Sequence, residues 1–149
     1  MPPTSSIFSL DPQLRNDANV LGSFPLCNLL LINDAQYPWF VLVPRRANIT
    51  EIVQLSPKDR IQLLEESCQL QECLLSAFQP DKLNVAALGN MVSQLHLHHI
   101  ARFRKDAAWP APVWGKHPAM PYTDAQLAAR LEALRPYLPD SFAWGEDDD

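Results

Sequence analysis

The chain has 149 residues and a mass of 16.8 kDa, with 47% hydrophobic and 19% charged residues. That composition is globular, and the length suits one substantial core but not two. The net charge is -5, yet Glu146, Asp147, Asp148 and Asp149 carry four of the negatives, leaving 12 positive against 13 negative residues in the rest. A near-neutral body argues against duplex nucleic acid or an anionic membrane as partner. No apolar run approaches the roughly 20 residues of a membrane helix, and the first residues show no basic-then-apolar leader. The expectation is one cytoplasmic domain over 1–145, followed by a frayed, disordered acidic tail at 146–149.

Residues 11–16 read as a short helix, with Asp11 as N-cap and Pro12 at the first helical position. Three apolar runs follow, at 20–24, 26–33 and 39–43, closed by Pro25, the 33–38 stretch and Pro44. They read as a strand meander. Ser56, Pro57 and Asp59 then start a long helix that runs to about Phe78, where Pro80 stops it. Ile61, Leu64, Cys68, Leu75 and Phe78 recur at helical spacing and are expected to face the sheet. Residues 82–88 and 91–100 read as two antiparallel strands joined at a Gly89-Asn90 turn. Pro110, Pro112, Pro118 and Pro121 exclude regular structure between 107 and 122. Thr123 and Gln126 form a capping box for a last helix, with Leu127, Leu131 and Leu134 as its stripe and Pro136 as its end. The sum is an α+β fold of about five antiparallel strands, one long helix and a short late helix.

Cys27, Cys68 and Cys73 are odd in number and contain no C-x-x-C, which argues against a disulfide framework or a cysteine zinc knuckle. The histidines are more informative. In Gln94-Leu95-His96-Leu97-His98-His99-Ile100, strand alternation puts Gln94, His96 and His98 on one face and Leu95, Leu97 and His99 on the other. Three uses stay open for that polar row. An unprotonated imidazole is a good nucleophile toward phosphorus near pH 7, and a second histidine two residues on can donate to a phosphoryl oxygen or leaving group. His-x-His can also chelate a metal, with His117 or a distant carboxylate as third ligand. Alternatively, the row is exposed and idle. Gly89 and Asn90 upstream suit close approach of backbone N–H groups to an anion, and Arg102, Arg104 and Lys105 downstream add positive charge. Trp39, Trp109, Trp114 and Trp144 read as core or interface residues, with nucleobase stacking as the alternative.

The segment GNMVSQLHLHHIAR resembles the signature of the histidine-triad (HIT) family of nucleotide hydrolases and transferases, and LLLINDAQYPWFVLVPR is similar to the family's strand–loop–strand. The resemblance spans roughly residues 20–105. It implies a HIT-like fold and an enzyme that cleaves a phosphoanhydride or phosphoramidate bond at the α-phosphate of a nucleoside monophosphate. His96 would be the nucleophile, forming a nucleotidyl-histidine, and His98 would assist at the phosphate. Gln94 stands where the first triad histidine belongs and would orient by hydrogen bonding without relaying a proton. Gly89, Asn90 and Asn84 match the phosphate-binding region, and Asn33 matches an asparagine that binds ribose hydroxyls. The resemblance also implies a homodimer pairing through the long helix and adjoining sheet edge. No cofactor or metal is required, since nitrogen is the nucleophile. The alternatives are a nucleotide-binding module without turnover and a histidine metal-binding protein.

Overall fold

The computed structural model describes residues 7–145, so the acidic tail at 146–149 lies outside the described residues. The elements are α1 (Pro12–Asp17), β1 (Ala18–Ser23), β2 (Cys27–Ile32), β3 (Trp39–Pro44), α2 (Pro57–Phe78), β4 (Lys82–Ala87), β5 (Leu97–Arg102), α3 (Asp124–Leu134) and β6 (Ala143–Trp144), with short 3-10 turns at Ile52–Gln54 and Arg135–Tyr137. All strand pairs are antiparallel in one six-stranded sheet of order β4-β5-β3-β2-β1-β6. The sixth strand has two residues, too short to signal itself in sequence. It pairs with Gly22 and Ser23. No helix among the described residues is long and apolar enough to cross a membrane.

The helix starts follow their caps. Asp11 Oδ1 accepts from Gln13 N–H at 2.8 Å, Ser56 Oγ from Asp59 N–H at 3.1 Å, and Thr123 pairs reciprocally with Gln126. Each satisfies an N–H that the first turn leaves unpaired. Helix α2 ends on Gln79 in the left-handed region at φ 51°.

Both faces of the sheet are covered. On one, Leu29, Leu31, Phe40 and Leu42 pack against Leu63, Leu70 and Leu74 of α2 and Leu134 of α3. On the other, Leu30, Val41 and Val43 meet Phe8, Leu10 and Leu14 of the N-terminal segment and α1. Burial on both sides explains why β2 and β3 read as continuous apolar runs.

The face expected for α2 is corrected. Ile61, Leu64 and Leu75 are 67%, 63% and 50% exposed, Cys68 is exposed too, and only Phe78 of that set packs against the core. The buried face instead carries two polar residues, Glu66 and Ser67. Glu66 accepts from the N–H groups of Leu26 and Cys27 at 2.8 and 2.9 Å and from Gln62 Nε2 at 2.7 Å. A buried carboxylate with three donors satisfies backbone groups that the entry to β2 would otherwise leave unpaired.

The β4–β5 hairpin is also revised. The strands pair from Lys82↔Arg102 to Ala87↔Leu97, so they are antiparallel neighbours as expected. Residues 88–96 between them form a loop rather than a tight turn followed by strand. Gly89 sits in that loop at φ 87°, a conformation that favours glycine.

Candidate functional site

The register of the sheet builds the site. His98 lies opposite Val41 of β3 and His99 opposite Phe40, so the two histidines project to opposite faces. His99 points under α2, where its Nδ1 donates to the Leu97 carbonyl at 3.0 Å. That leaves Nε2 to accept from the Ser67 hydroxyl at 2.7 Å. Burial draws its pKa down to about 4. His99 is thus the hydrogen-bonded residue of the opposite face that alternation predicts.

His96 and His98 line a cavity of about 710 Å³ on the other face. Its floor is the two histidines and Trp39. Its walls come from α1 (Leu14, Asn16, Asp17), from Ile32, Asn33 and Asp34 after β2, and from loop 88–92. The proline-dense segment closes the last side with Val113, Trp114, Gly115, His117 and Ala119. Most of the walls are apolar, with a few polar groups converging on the floor, the usual anatomy of a small-molecule site.

Hydrogen bonds set the state of each ring. A carbonyl oxygen can only accept, so the 2.7 Å contact of His96 Nδ1 with the Gln94 carbonyl puts a proton on Nδ1, and in the neutral ring the lone pair is then on Nε2. The indole N–H of Trp39 lies 3.0 Å from His98 Nδ1. The two histidine rings meet edge to face with centroids 4.8 Å apart. Burial, followed by the neighbouring His96 and His99, draws the His98 pKa down to about 3. His98 is neutral at physiological pH.

Several expected residues belong to this cavity and others do not. Gly89, Asn90 and Asn33 line it together with His96 and His98. Asn33 also accepts at Oδ1 from Tyr122 N–H at 2.9 Å, and Asp34 accepts at Oδ1 from Met120 N–H at 3.3 Å, so the loop after β2 clips the proline-dense segment in place. Gln94 turns away. Its Oε1 accepts from Asp11 N–H and its Nε2 donates to the Ser9 carbonyl, both at 2.9 Å. Gln94 meets His96 Nδ1 through its main-chain carbonyl, while its side-chain amide is spent on the N-terminal segment that carries α1.

Asn84 lies apart from the cavity. Its Oδ1 accepts from Arg102 Nη1 at 2.8 Å, and it is absent from the cavity lining. Arg102, 2% exposed, is paired with Asp106 at 2.8 Å and reaches the Ala111 carbonyl, so it lends the cavity no free charge. Burial alone would raise the Asp106 carboxyl, but Arg102 and the N–H groups of Phe103 and Trp109 hold it below its usual value. Among the described residues no Lys or Arg lines the cavity, and no three His, Cys, Asp or Glu side chains gather as a metal-holding group. Sequence reasoning gave Trp39 no part in the histidine chemistry. The signal available was its place in the strand that pairs with the histidine strand.

The sequence model of the HIT domain matches residues 13–105. The chain belongs to the HIT family. A histidine triad protein from Marinobacter aquaeolei VT8 is similar in structure at a TM-score of 0.86 and 50% identity, over 89% of this chain and 96% of that one. A histidine triad protein from Bradyrhizobium japonicum gives 0.86 and 42%, over 89% and 98%. A histidine triad (HIT) protein from Sinorhizobium meliloti 1021 gives 0.85 and 39%, over 88% and 97%. No curated protein matches the chain. In this HIT domain His96 and His98 face the cavity, while the side-chain amide of Gln94 bonds the N-terminal segment.

Proposed function

We propose that this HIT protein is a nucleotide hydrolase or transferase that cleaves a phosphoanhydride or phosphoramidate bond at the α-phosphate of a nucleoside monophosphate. The observation that carries the reading is His96: its Nδ1–H is fixed on the Gln94 carbonyl and its Nε2 lone pair is free on the floor of the cavity. Nε2 attacks the α-phosphorus and a nucleotidyl-histidine forms. The His98 Nε2–H, the Asn90 amide and backbone N–H groups around Gly89 donate to the non-bridging oxygens. Water or another acceptor then takes the nucleotide. Asn33, with its carbonyl oxygen taken by Tyr122, offers its NH2 group to a ribose hydroxyl. Leu14, Ile32, Val92 and Trp114 give the base an apolar enclosure.

The exposed apolar stripe of α2 (Ile61, Leu64, Leu75) and the open edge of β4, where Val85 is 41% exposed, support a homodimer pairing through that helix and sheet edge. Cys27, Cys68 and Cys73 are all free thiols, which fits a reducing, cytoplasmic setting.

The test is intact-mass spectrometry after rapid acid-free quenching of the protein with diadenosine polyphosphate or a fluorogenic adenosine phosphoramidate. A nucleotide adduct on wild type that maps to His96 and is lost in His96→Ala is the expected result. Nucleotide binding with neither adduct nor turnover would instead make the protein a binding module.

A further inference from the structure

We infer that Trp39 is a positioning residue: its indole N–H fixes His98 as an Nε2–H donor, so His98 steadies phosphoryl oxygens but protonates no leaving group. The tautomer stands on geometry, and its chemical consequence rests on the function proposed above. An indole nitrogen only donates, so at 3.0 Å the Nδ1 of His98 must accept, and the ring's single proton sits on Nε2. A second proton is disfavoured from every side. His98 is 6% exposed, between the rings of Trp39, His96 and Trp114 at 5.8, 4.8 and 5.2 Å. His99 adds a further unfavourable neighbour from behind the strand.

The other titratable groups of the cavity have hydrogen-bond partners of their own. His96 Nδ1–H is bound to the Gln94 carbonyl, and its Nε2 is the attacking atom. Asp17 takes the Gln13 amide, and Asp34 takes Gln36 and Met120 N–H groups. His117 donates from Nε2 to the Ala107 carbonyl. Gln94 and Trp39, one at a triad position and one against the triad, are both side chains that cannot relay a proton.

The bookkeeping of the step then selects the leaving group. The His96 Nε2 pair forms the N–P bond, and the bond to the leaving group breaks with its pair on the departing atom. A phosphate oxygen, whose acid has a pKa of about 6, carries that pair unprotonated at neutral pH. An alkylamine, with a conjugate acid near 10, departs only with an added proton, and a neutral imidazole N–H is far too weak an acid to give one. In the second step water forms the P–O bond, the N–P pair returns to Nε2, and the water proton goes to solvent. Loss of a general acid is worth about 10²–10⁴-fold in rate.

Two measurements test this. In protein labelled with 15N-histidine, long-range 1H–15N spectra should show His98 Nδ1 unprotonated and Nε2 protonated, unchanged from pH 7.5 to 5.5. In Trp39→Phe the proton should redistribute or a second one should bind. A protonated Nδ1 in wild type overturns the inference without any need for turnover. Kinetically, kcat/KM for diadenosine tetraphosphate should exceed that for the N-alkyl phosphoramidate of AMP by at least ~10²-fold. Trp39→His, which places a titratable ring against His98, should narrow the gap. Equal rates on the two substrates in wild type overturn the inference, and loss of that amine activity in His117→Asn would then assign the acid to His117. No adduct from either substrate would defeat the nucleotidyl-histidine reading, and the spectra would still decide the tautomer.

Discussion

Acidification from pH 7.5 to 5.0 should destabilise this protein through two buried histidines. Burial draws the folded pKa values of His98 and His99 down to about 3 and about 4, from an ordinary value of 6.5. Their neutral forms are the native ones. The stability they contribute is therefore fully present above pH 6.5 and is lost as the pH falls toward the folded values, because the unfolded chain binds protons that the native protein refuses. By linkage, each group costs about 2 kcal/mol at pH 5.0, together about 4 kcal/mol. That is a large part of the roughly 5–15 kcal/mol typical of a domain. Urea unfolding followed by circular dichroism at fixed protein concentration would measure it, and calorimetry in two buffers should show uptake of about two protons on unfolding at pH 5.0. His99→Asn should remove about half of the pH dependence, since it leaves His98 as the remaining group. Equal unfolding free energies at the two pH values, within about 1 kcal/mol, would refute the assignment of both rings as buried and neutral.

Asn33→Ala should weaken kcat/KM for nucleotides by about 1–3 kcal/mol, and should also lower the melting temperature because it frees Tyr122 N–H and the segment behind it. Gln94→Ala breaks both bonds to the N-terminal segment, so limited proteolysis near residues 9–11 should accelerate, with about 1–3 kcal/mol lost in urea unfolding. Gly22→Ala would drive a Cβ into the Ala143 carbonyl and to 2.7 Å from the Phe142 ring, so β6 should detach at a cost of about 1–3 kcal/mol, measured by thermal melts. Leu64→Glu should give a light-scattering mass near that of one 16.8 kDa chain, whereas wild type gives about twice that, with the monomer still folded by circular dichroism.

The parts that could be read from sequence are those governed by local chemistry. The caps at Asp11, Ser56 and Thr123 and the apolar runs of β2 and β3 depend on neighbours within four residues or on simple burial. The alternation of His98 and His99 follows from strand geometry alone. What escaped depends on partners far along the chain. Hydropathy pointed α2 the wrong way because its buried face holds Glu66 and Ser67, whose partners Leu26, Cys27 and His99 are 32–40 residues distant. Gln94 is bonded to residues 83 and 85 positions away, and Asn84 to Arg102. A polar residue at a plausible spacing does not disclose which distant group it has been folded to meet.

The floor and walls of the cavity have different origins in the chain. His96, His98 and Trp39 sit on or beside two hydrogen-bonded strands in the middle of the sheet, whereas the enclosure is made by a six-residue helix, two loops and a proline-dense strap. Under the function proposed above, reactivity and selectivity sit on separable pieces of the polypeptide. Substitutions or length changes in residues 88–92 or 113–119 can remodel what is admitted while the register that aligns the imidazoles stays as it is. A graft of those two segments from a homologue is the natural route to a new ligand preference on unchanged chemistry.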